Sequence, residues 1–188
     1  MESSIIQKLD EELKIFPYKG MYPKIGENVF LASGVKIIGN VAIGNNSSVW
    51  YNSVIRGDVH YIKIGDSSNI QDCSILHVTN GKYPLNIGNK VTIGHSVSLH
   101  GCTLQDLCLI GIGAIVLDGA IVESNSMVAA GALVKQHFVV PFGKLVAGVP
   151  AKVIRDLTKD EIKDIEAGAH RYVEYARITL ESLKEYSK

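Results

Sequence analysis

The sequence predicts an all-β solenoid, a parallel β-helix that is followed by a C-terminal α-helix. The first observation is an aliphatic residue at every sixth position over most of the chain, which is the signature of a solenoid. The second is that most of these residues are β-branched, which favours strands. Period six then fits a coil with three flat faces and roughly 18 residues. The repeat positions are Ile25, Leu31, Ile37, Ile43, Val49, Ile55, Ile64, Ile70, Leu76, Ile87, Ile93, Leu99, Ile110, Val116, Val122, Val128, Val134, Val140 and Val146.

The third observation is a change of period near the C-terminus, which divides the chain into three parts. Residues 1–22 form a leader, with a short helix expected over Ile5 to Leu13, and residues 23–152 form the solenoid. Residues 153–188 form a helix that packs on the solenoid, because Thr158 and Glu161 have capping-box spacing. Apolar residues then recur near helical spacing, at Ile162, Ile165, Ala169, Tyr172, Val173, Ala176 and Leu180.

Composition excludes several classes of partner. The 188 residues include 19 Lys and Arg and 19 Asp and Glu, so the balanced charge argues against nucleic acid and acidic membrane surfaces as partners. No apolar run reaches transmembrane length, and the N-terminus is too polar for a signal peptide. The three cysteines, Cys73, Cys102 and Cys108, are odd in number and irregularly spaced. We therefore expect reduced thiols and a cytoplasmic protein.

The repeat predicts which side chains share a face. Residues that lie three hexads apart fall on one face of adjacent coils, about 4.8 Å apart. Arg56, His77 and His100 each follow a repeat position directly and should form one column. Asp72 and His95 each lie two places after a repeat position and should form a column on a different face.

This count places the extra residues outside the regular coils. We assign three extra residues around Val59 to Lys63 to a loop, and five more to the stretch from Val78 to Asn86, which contains turn signals. A segment one residue short of a hexad is expected from Gln105 to Leu109.

The histidine columns predict a metal site between subunits. His77 and His100 can reach one ion from adjacent coils, whereas His95 projects from another face. If all three bind one metal, His95 comes from a neighbouring subunit, and a threefold arrangement would make three equivalent sites. Three neutral imidazoles with an open position form a catalytic zinc site. From spacing alone, a structural role or a single general base remains open.

Several separated motifs resemble the γ-class carbonic anhydrases. They are Arg56-Gly-Asp58, Asn69-Ile-Gln-Asp72, His77, Gly94-His95, His100-Gly-Cys102 and the stretch from Gly148 to Leu157. The resemblance implies that the β-helix is left-handed, as in known hexapeptide-repeat proteins. It also implies a homotrimer that hydrates carbon dioxide reversibly to bicarbonate, with zinc or ferrous iron between subunits.

The resemblance also assigns the metal ligands. His77 and His100 match the two ligands from one subunit, and His95 matches the ligand from its neighbour. Zn²⁺ is the expected metal, with Fe²⁺ or Co²⁺ as alternatives, because imidazole suits all three.

Five polar residues complete the site that the resemblance implies. Arg56 matches an arginine that pairs with aspartates across the subunit interface, and Asp58 and Asp72 match those aspartates. Gln71 matches the residue that hydrogen-bonds the metal-bound water, with Asn69 close by. Asp58, Asp72, Gln71 and Asn69 are also candidates to accept the histidine N–H groups and so orient the rings.

The chain departs from the family pattern at two places. Val59 stands where the best-studied members carry a glutamate, and the stretch from Val78 to Asn86 lacks the acidic loop that follows the first histidine. Those acids move protons to bulk water, so the chain resembles a shorter branch of the family.

Two alternatives to a carbonic anhydrase remain. One is an acyltransferase that uses coenzyme A thioesters and one histidine as general base, and the other is a metal-binding scaffold with little activity.

Overall fold

The computed structural model describes residues 14–186 and shows the predicted left-handed parallel β-helix. Neighbouring coils pair in parallel, so that Ile37 lies beside Ile55, Ile55 beside Leu76, and Leu76 beside Leu99. We name the three faces first, second and third, in the order in which the chain visits them from Ile37. The predicted fold class is confirmed.

The first and second faces join into one 12-stranded sheet, because β4 and β6 run around the corner between them. The first face contains β1 (Ile15–Phe16), β4 (Lys36–Ile43), β6 (Val54–Ile64), β8 (Ile75–His77), β11 (Ser98–His100), β14 (Ile115–Val116) and β17 (Leu133–Val134). The second face contains β2 (Lys24–Ile25), the later parts of β4 and β6, β9 (Leu85–Ile87), β12 (Thr103–Leu104), β15 (Ile121–Val122) and β18 (Val139–Val140).

The third face is a separate eight-stranded sheet. It contains β3 (Phe30–Leu31), β5 (Ser48–Val49), β7 (Asn69–Ile70), β10 (Thr92–Ile93), β13 (Leu109–Ile110), β16 (Met127–Val128), β19 (Lys144–Ala147) and β20 (Lys152–Asp156). The strand β20 is antiparallel to β19, so the parallel order ends there.

The repeat positions form the core. Ile37, Ile55, Leu76 and Leu99, the inward side chains of the first face, are at most 1% exposed. Each buried aliphatic side chain contributes about 1.5–3 kcal/mol to folding relative to an exposed one. The inward direction of these residues forces the residues beside them outward, and this positions His77 and His100.

The structure corrects two details of the coil count. The short step lies between Leu99 and Leu104, because Leu104 pairs with Ile87 and is itself a core position, so the expected irregularity after Gln105 was wrong. The extra residues around Val59 are not a loop, since they stay within β6 and are accommodated by a shift of register against β4. The stretch after His77 does form a turn, as predicted.

The C-terminal helix α1 (Lys159–Tyr186) covers the third face. The predicted capping box is present: the Glu161 backbone N–H donates to Thr158 Oγ1 at 3.2 Å, and the Thr158 backbone N–H donates to Glu161 Oε2 at 2.8 Å. Ile165 and Ala169 of α1 are buried where the helix packs on the third face. The Tyr172 ring meets Trp50 edge to face, with centroids 5.5 Å apart.

Two strands lie outside the range 23–152 that we assigned to the solenoid. The strand β1 pairs with β4 through Ile15 and Ile37, and β20 extends the third sheet to Asp156. The helix expected over Ile5 to Leu13 lies outside the described residues. Among residues 14–186, no helix is long and apolar enough to cross a membrane.

We predict that no more than one thiol per native chain reacts with Ellman's reagent at pH 8. Cys102 and Cys108 are free but buried, and burial raises the pKa of each to about 12, so the reactive thiolate is scarce. Cys73 is free and exposed. A thiol titration before and after unfolding in guanidinium checks this, with Cys73→Ser as the control that should abolish the native reaction. Fast reaction of two thiols would contradict the packing.

Candidate metal centre

His77 and His100 lie side by side on adjacent coils of the first face. They end β8 and β11, and the register pairs them directly, as the column count predicted. His77 Nδ1 is 3.1 Å from His100 Nε2, although 23 positions separate the residues in sequence. Their side chains are 20% and 38% exposed, so solvent reaches the pair.

A carboxylate lies at each outer end of this histidine pair. Asp58 Oδ1 is 3.1 Å from His77 Nε2, and Asp118 Oδ1 is 2.7 Å from His100 Nδ1. Arg56, the third member of the predicted column, forms an ion pair with Asp58 in the same chain. The four side chains Asp58, His77, His100 and Asp118 therefore form one continuous line.

The charges in this line affect its pKa values. Burial alone would raise the pKa of Asp58, but hydrogen bonds from Arg56 and His77 outweigh burial and hold the pKa below its ordinary value. Burial lowers the pKa of His77, and the hydrogen bond to Asp58 only partly opposes this effect. The site therefore favours an ionised Asp58 beside a neutral His77.

The three contacts along the line Asp58, His77, His100 and Asp118 require three protons, but two neutral imidazoles supply only two. A neutral imidazole has one N–H, and an ionised carboxylate only accepts. If His77 and His100 donate their outer N–H groups to Asp58 and Asp118, their inner nitrogens present lone pairs to each other. Such a contact is favourable only with a cation between the rings. The 3.1 Å separation is close to the roughly 3.3 Å expected between two imidazole ligands of a tetrahedral zinc ion. These two residues thus fit a metal.

His95 lies on the column that starts from the third face. Thr92 and Ile93 pair with Asn69 and Ile70, which places His95 directly over Asp72, as predicted. His95 Nδ1 is 2.8 Å from Asp72 Oδ2. Like the other two histidines, His95 has one ring nitrogen on a carboxylate and the other available to a ligand.

A shallow cleft surrounds His95. It lies between the third face and α1, and its walls include Asp72, Trp50 and Tyr172. Burial raises the pKa of Tyr172, and the charge of Asp72 adds to this effect. The walls of the cleft around His95 are mainly aromatic side chains.

Asn69 and Gln71 also lie on the third face, beneath α1. Gln71 Nε2 donates to Asn69 Oδ1 at 3.1 Å, and Asn69 Nδ2 donates to Thr92 Oγ1 at 3.0 Å. Both amide side chains are buried, at 1% for Asn69 and 6% for Gln71. This chain of donors fixes how the Gln71 amide is oriented.

One chain thus holds the predicted site residues in two groups. Arg56, Asp58, His77 and His100 lie at the first face, and the other group contains Asn69, Gln71, Asp72 and His95. Among residues 14–186, no three His, Cys, Asp or Glu side chains form a group that could hold a metal ion.

Asp118 is the member of the site that the sequence analysis missed. It lies one coil beyond His100, two places after the repeat position Val116. Gly101 has a positive φ of 54° and no side chain, which gives Asp118 room to reach His100. A register count extended one coil past the last histidine places Leu117 beside His100 and Asp118 beside Gly101, so it shows an acid next to the histidine column.

Known proteins resemble this chain over most of its length. A probable carbonic anhydrase from Methanocaldococcus jannaschii is 50% identical over 160 residues, which are 85% of this chain and 99% of that protein. Gamma carbonic anhydrase 2, mitochondrial, from Arabidopsis thaliana is 46% identical over 161 residues. The chain belongs to the γ-class carbonic anhydrase family. The match covers 83% of this chain but only 58% of the Arabidopsis protein.

Hexapeptide-repeat transferases also resemble this chain. A family model described as bacterial transferase hexapeptide (six repeats) matches residues 22–57. A solved structure of a putative acetyltransferase from Bacillus cereus is 45% identical and superimposes with a TM-score of 0.86, covering 88% of this chain and 95% of that one. Carbonic anhydrase and transferase names therefore both occur among proteins that share this fold.

We predict that Gly101→Ala destabilises the protein more than Gly113→Ala does. Both glycines have positive φ, at 54° and 67°, so both substitutions carry a backbone cost of roughly 1–2 kcal/mol. A methyl group at Gly101 would in addition lie 2.6 Å from Tyr83 Cβ and would clash with Asp118, whereas Gly113 has open space. Such overpacking adds about 1–3 kcal/mol.

Urea unfolding of both variants at one protein concentration tests this difference. Equal free energies of unfolding for the two variants would contradict the predicted clash between a methyl group at Gly101 and Asp118.

Proposed function

We propose that this chain forms a homotrimeric, metal-dependent carbonic anhydrase that hydrates carbon dioxide reversibly to bicarbonate. His77 and His100 of one subunit and His95 of the next would hold the metal. The observation that carries the proposal is the facing pair of ring nitrogens, 3.1 Å apart, with a carboxylate on each outer nitrogen. The carbonic anhydrase names of the relatives support the reaction.

The chain's own residues would prepare the ligands. Asp58, Asp118 and Asp72 would each accept the N–H of one histidine, which fixes the tautomer and leaves the lone pair of the other ring nitrogen for the metal. When bound, the metal would act as a Lewis acid and lower the pKa of water, to about 7 for zinc. We expect Zn²⁺, with Fe²⁺ or Co²⁺ as alternatives, because the donor set suits each of them.

The remaining polar residues would position the substrate water and join the subunits. Asn69 holds the Gln71 amide, which would hydrogen-bond the reacting water. Arg56 pairs with Asp58 inside one chain, and its side chain is 44% exposed, so it would also be able to reach an aspartate of a neighbouring subunit. We propose Asp72 as that partner.

The first experiment is metal analysis combined with a carbon dioxide hydration assay under anaerobic, reducing conditions. We expect about one metal ion per chain and hydration that disappears on chelation and returns with metal. Because Val59 replaces the family's glutamate, an imidazole buffer should raise the rate by carrying the proton. Acetyl transfer from acetyl coenzyme A that survives chelation would instead establish the acyltransferase. Full metal occupancy without hydration would establish the scaffold.

The second experiment tests whether sites are shared between subunits. We expect His77→Ala and His95→Ala each to be inert as pure proteins, because every site loses a ligand. Refolded as an equal mixture, they should regain about a quarter of the wild-type sites, since each mixed trimer rebuilds one site. Metal content and hydration rate report the recovery.

A matched mixture provides the control. His77→Ala and His100→Ala remove ligands from the same side of each site, so their mixture should recover nothing. Recovery in both mixtures, or in neither, would contradict the shared site.

A further inference from the structure

The loop that follows His77 has a defined conformation. It connects β8 to β9, and its first residue, Val78, is 1% exposed. Thr79 and Tyr83 are joined by two backbone hydrogen bonds. The Thr79 N–H donates to Tyr83 O at 3.1 Å, and the Tyr83 N–H donates to Thr79 O at 3.3 Å. The Gly81 N–H also donates to Val59 O at 3.3 Å. The loop is therefore closed by its own backbone and attached to β6.

One end of this loop contacts the candidate site. The Thr79 hydroxyl lies 3.1 Å from Oδ1 and 3.0 Å from Oδ2 of Asp118, the carboxylate that accepts from His100. Within residues 14–186, Thr79 and His100 are the side chains that hydrogen-bond Asp118. The Asp118 side chain is 15% exposed, so water is a poor substitute for the hydroxyl.

The other end of the loop is attached to a residue three coils further along. Tyr83 OH is 3.2 Å from His137 Nε2, and the two ring centroids are 5.5 Å apart. The Tyr83 side chain crosses Gly101 and Gly119, where a methyl group would meet it at 2.6 and 3.2 Å. These contacts hold the loop against the column that contains Asp118.

We propose that Thr79 is a positioning residue for the metal centre, acting through Asp118 on His100. The hydroxyl proton is shared between both carboxylate oxygens and fixes the rotation of Asp118. Asp118 then fixes the plane of the His100 ring, so that Nε2 faces His77. The inference rests on the proposed function. It gives the short loop a role in orienting a ligand, in place of the proton transfer that an acidic loop provides.

The test compares Thr79→Val, which keeps the shape but removes the donor, with Thr79→Ser, which keeps the donor. Thr103→Val, on β12, is the matched control for the same exchange in a strand. Zinc affinity is measured in the trimer by competition with a chromophoric chelator. We expect about a 3–10-fold loss for Thr79→Val, less than the 10–100-fold typical of a direct partner of a ligand. Thr79→Ser and Thr103→Val should remain within about twofold of wild type.

Two further readouts separate positioning from general destabilisation. The visible spectrum of the Co²⁺-loaded protein should change in Thr79→Val and be restored in Thr79→Ser. In metal-free protein, the His100 ring nitrogen signals in NMR should move in Thr79→Val, while those of His95 should not. Wild-type affinity together with an unchanged spectrum in Thr79→Val would overturn the inference.

The NMR measurement also separates this inference from the proposed function. If the wild type binds no metal, the proposed function fails, and with it the effect on the metal. A shift of the His100 signals would then still establish the contact through Asp118, and its absence would overturn that contact as well.

Discussion

Everything in this molecule depends on each coil stacking in register on the one before it. Backbone hydrogen bonds carry that register, such as Gly101 N–H to His77 O at 3.0 Å and Ser96 N–H to Asp72 O at 2.8 Å. A slip of one residue would turn the core side chains outward and the histidines inward, so the burial of the aliphatic columns excludes it. The arrangement of the three histidines is therefore a consequence of core packing, and the candidate site needs few interactions of its own to place its backbone.

Periodicity made the columns predictable from sequence, and it also explains what stayed hidden. The alignment of His77 with His100, and of Asp72 with His95, follows from counting hexads, because period and burial are coupled. The position of the short step did not follow, since a full six-residue step from Leu99 reaches Gln105, and only the pairing with Ile87 shows that Leu104 takes the core position. A period alone does not locate a step that is one residue short.

Side-chain contacts across an irregular segment were beyond such a count. Asp118 and Thr79 meet through a loop that has no repeat, and nothing in the spacing places a loop residue over a coil 39 positions away. The carboxylate partners among the predicted residues, Asp58 and Asp72, lie on the coil before their histidines, whereas His100 uses a partner from the following coil. In a solenoid, nearness along the axis replaces nearness along the chain. The residues that orient a ligand must therefore be sought one coil above and one coil below it.

The antiparallel strand β20 affects whether solenoids can stack end to end. A stack of parallel coils ends in a row of unpaired N–H and C=O groups, which is a template for adding further strands. In β20, Lys152 to Asp156 pair with β19 in the opposite direction, and every residue of the strand is exposed, including three charged ones. A second solenoid that arrived end to end would meet a reversed, charged strand on the third face instead of a matching edge. On the third face, the chain therefore blocks the addition of a further parallel strand at this end of the solenoid.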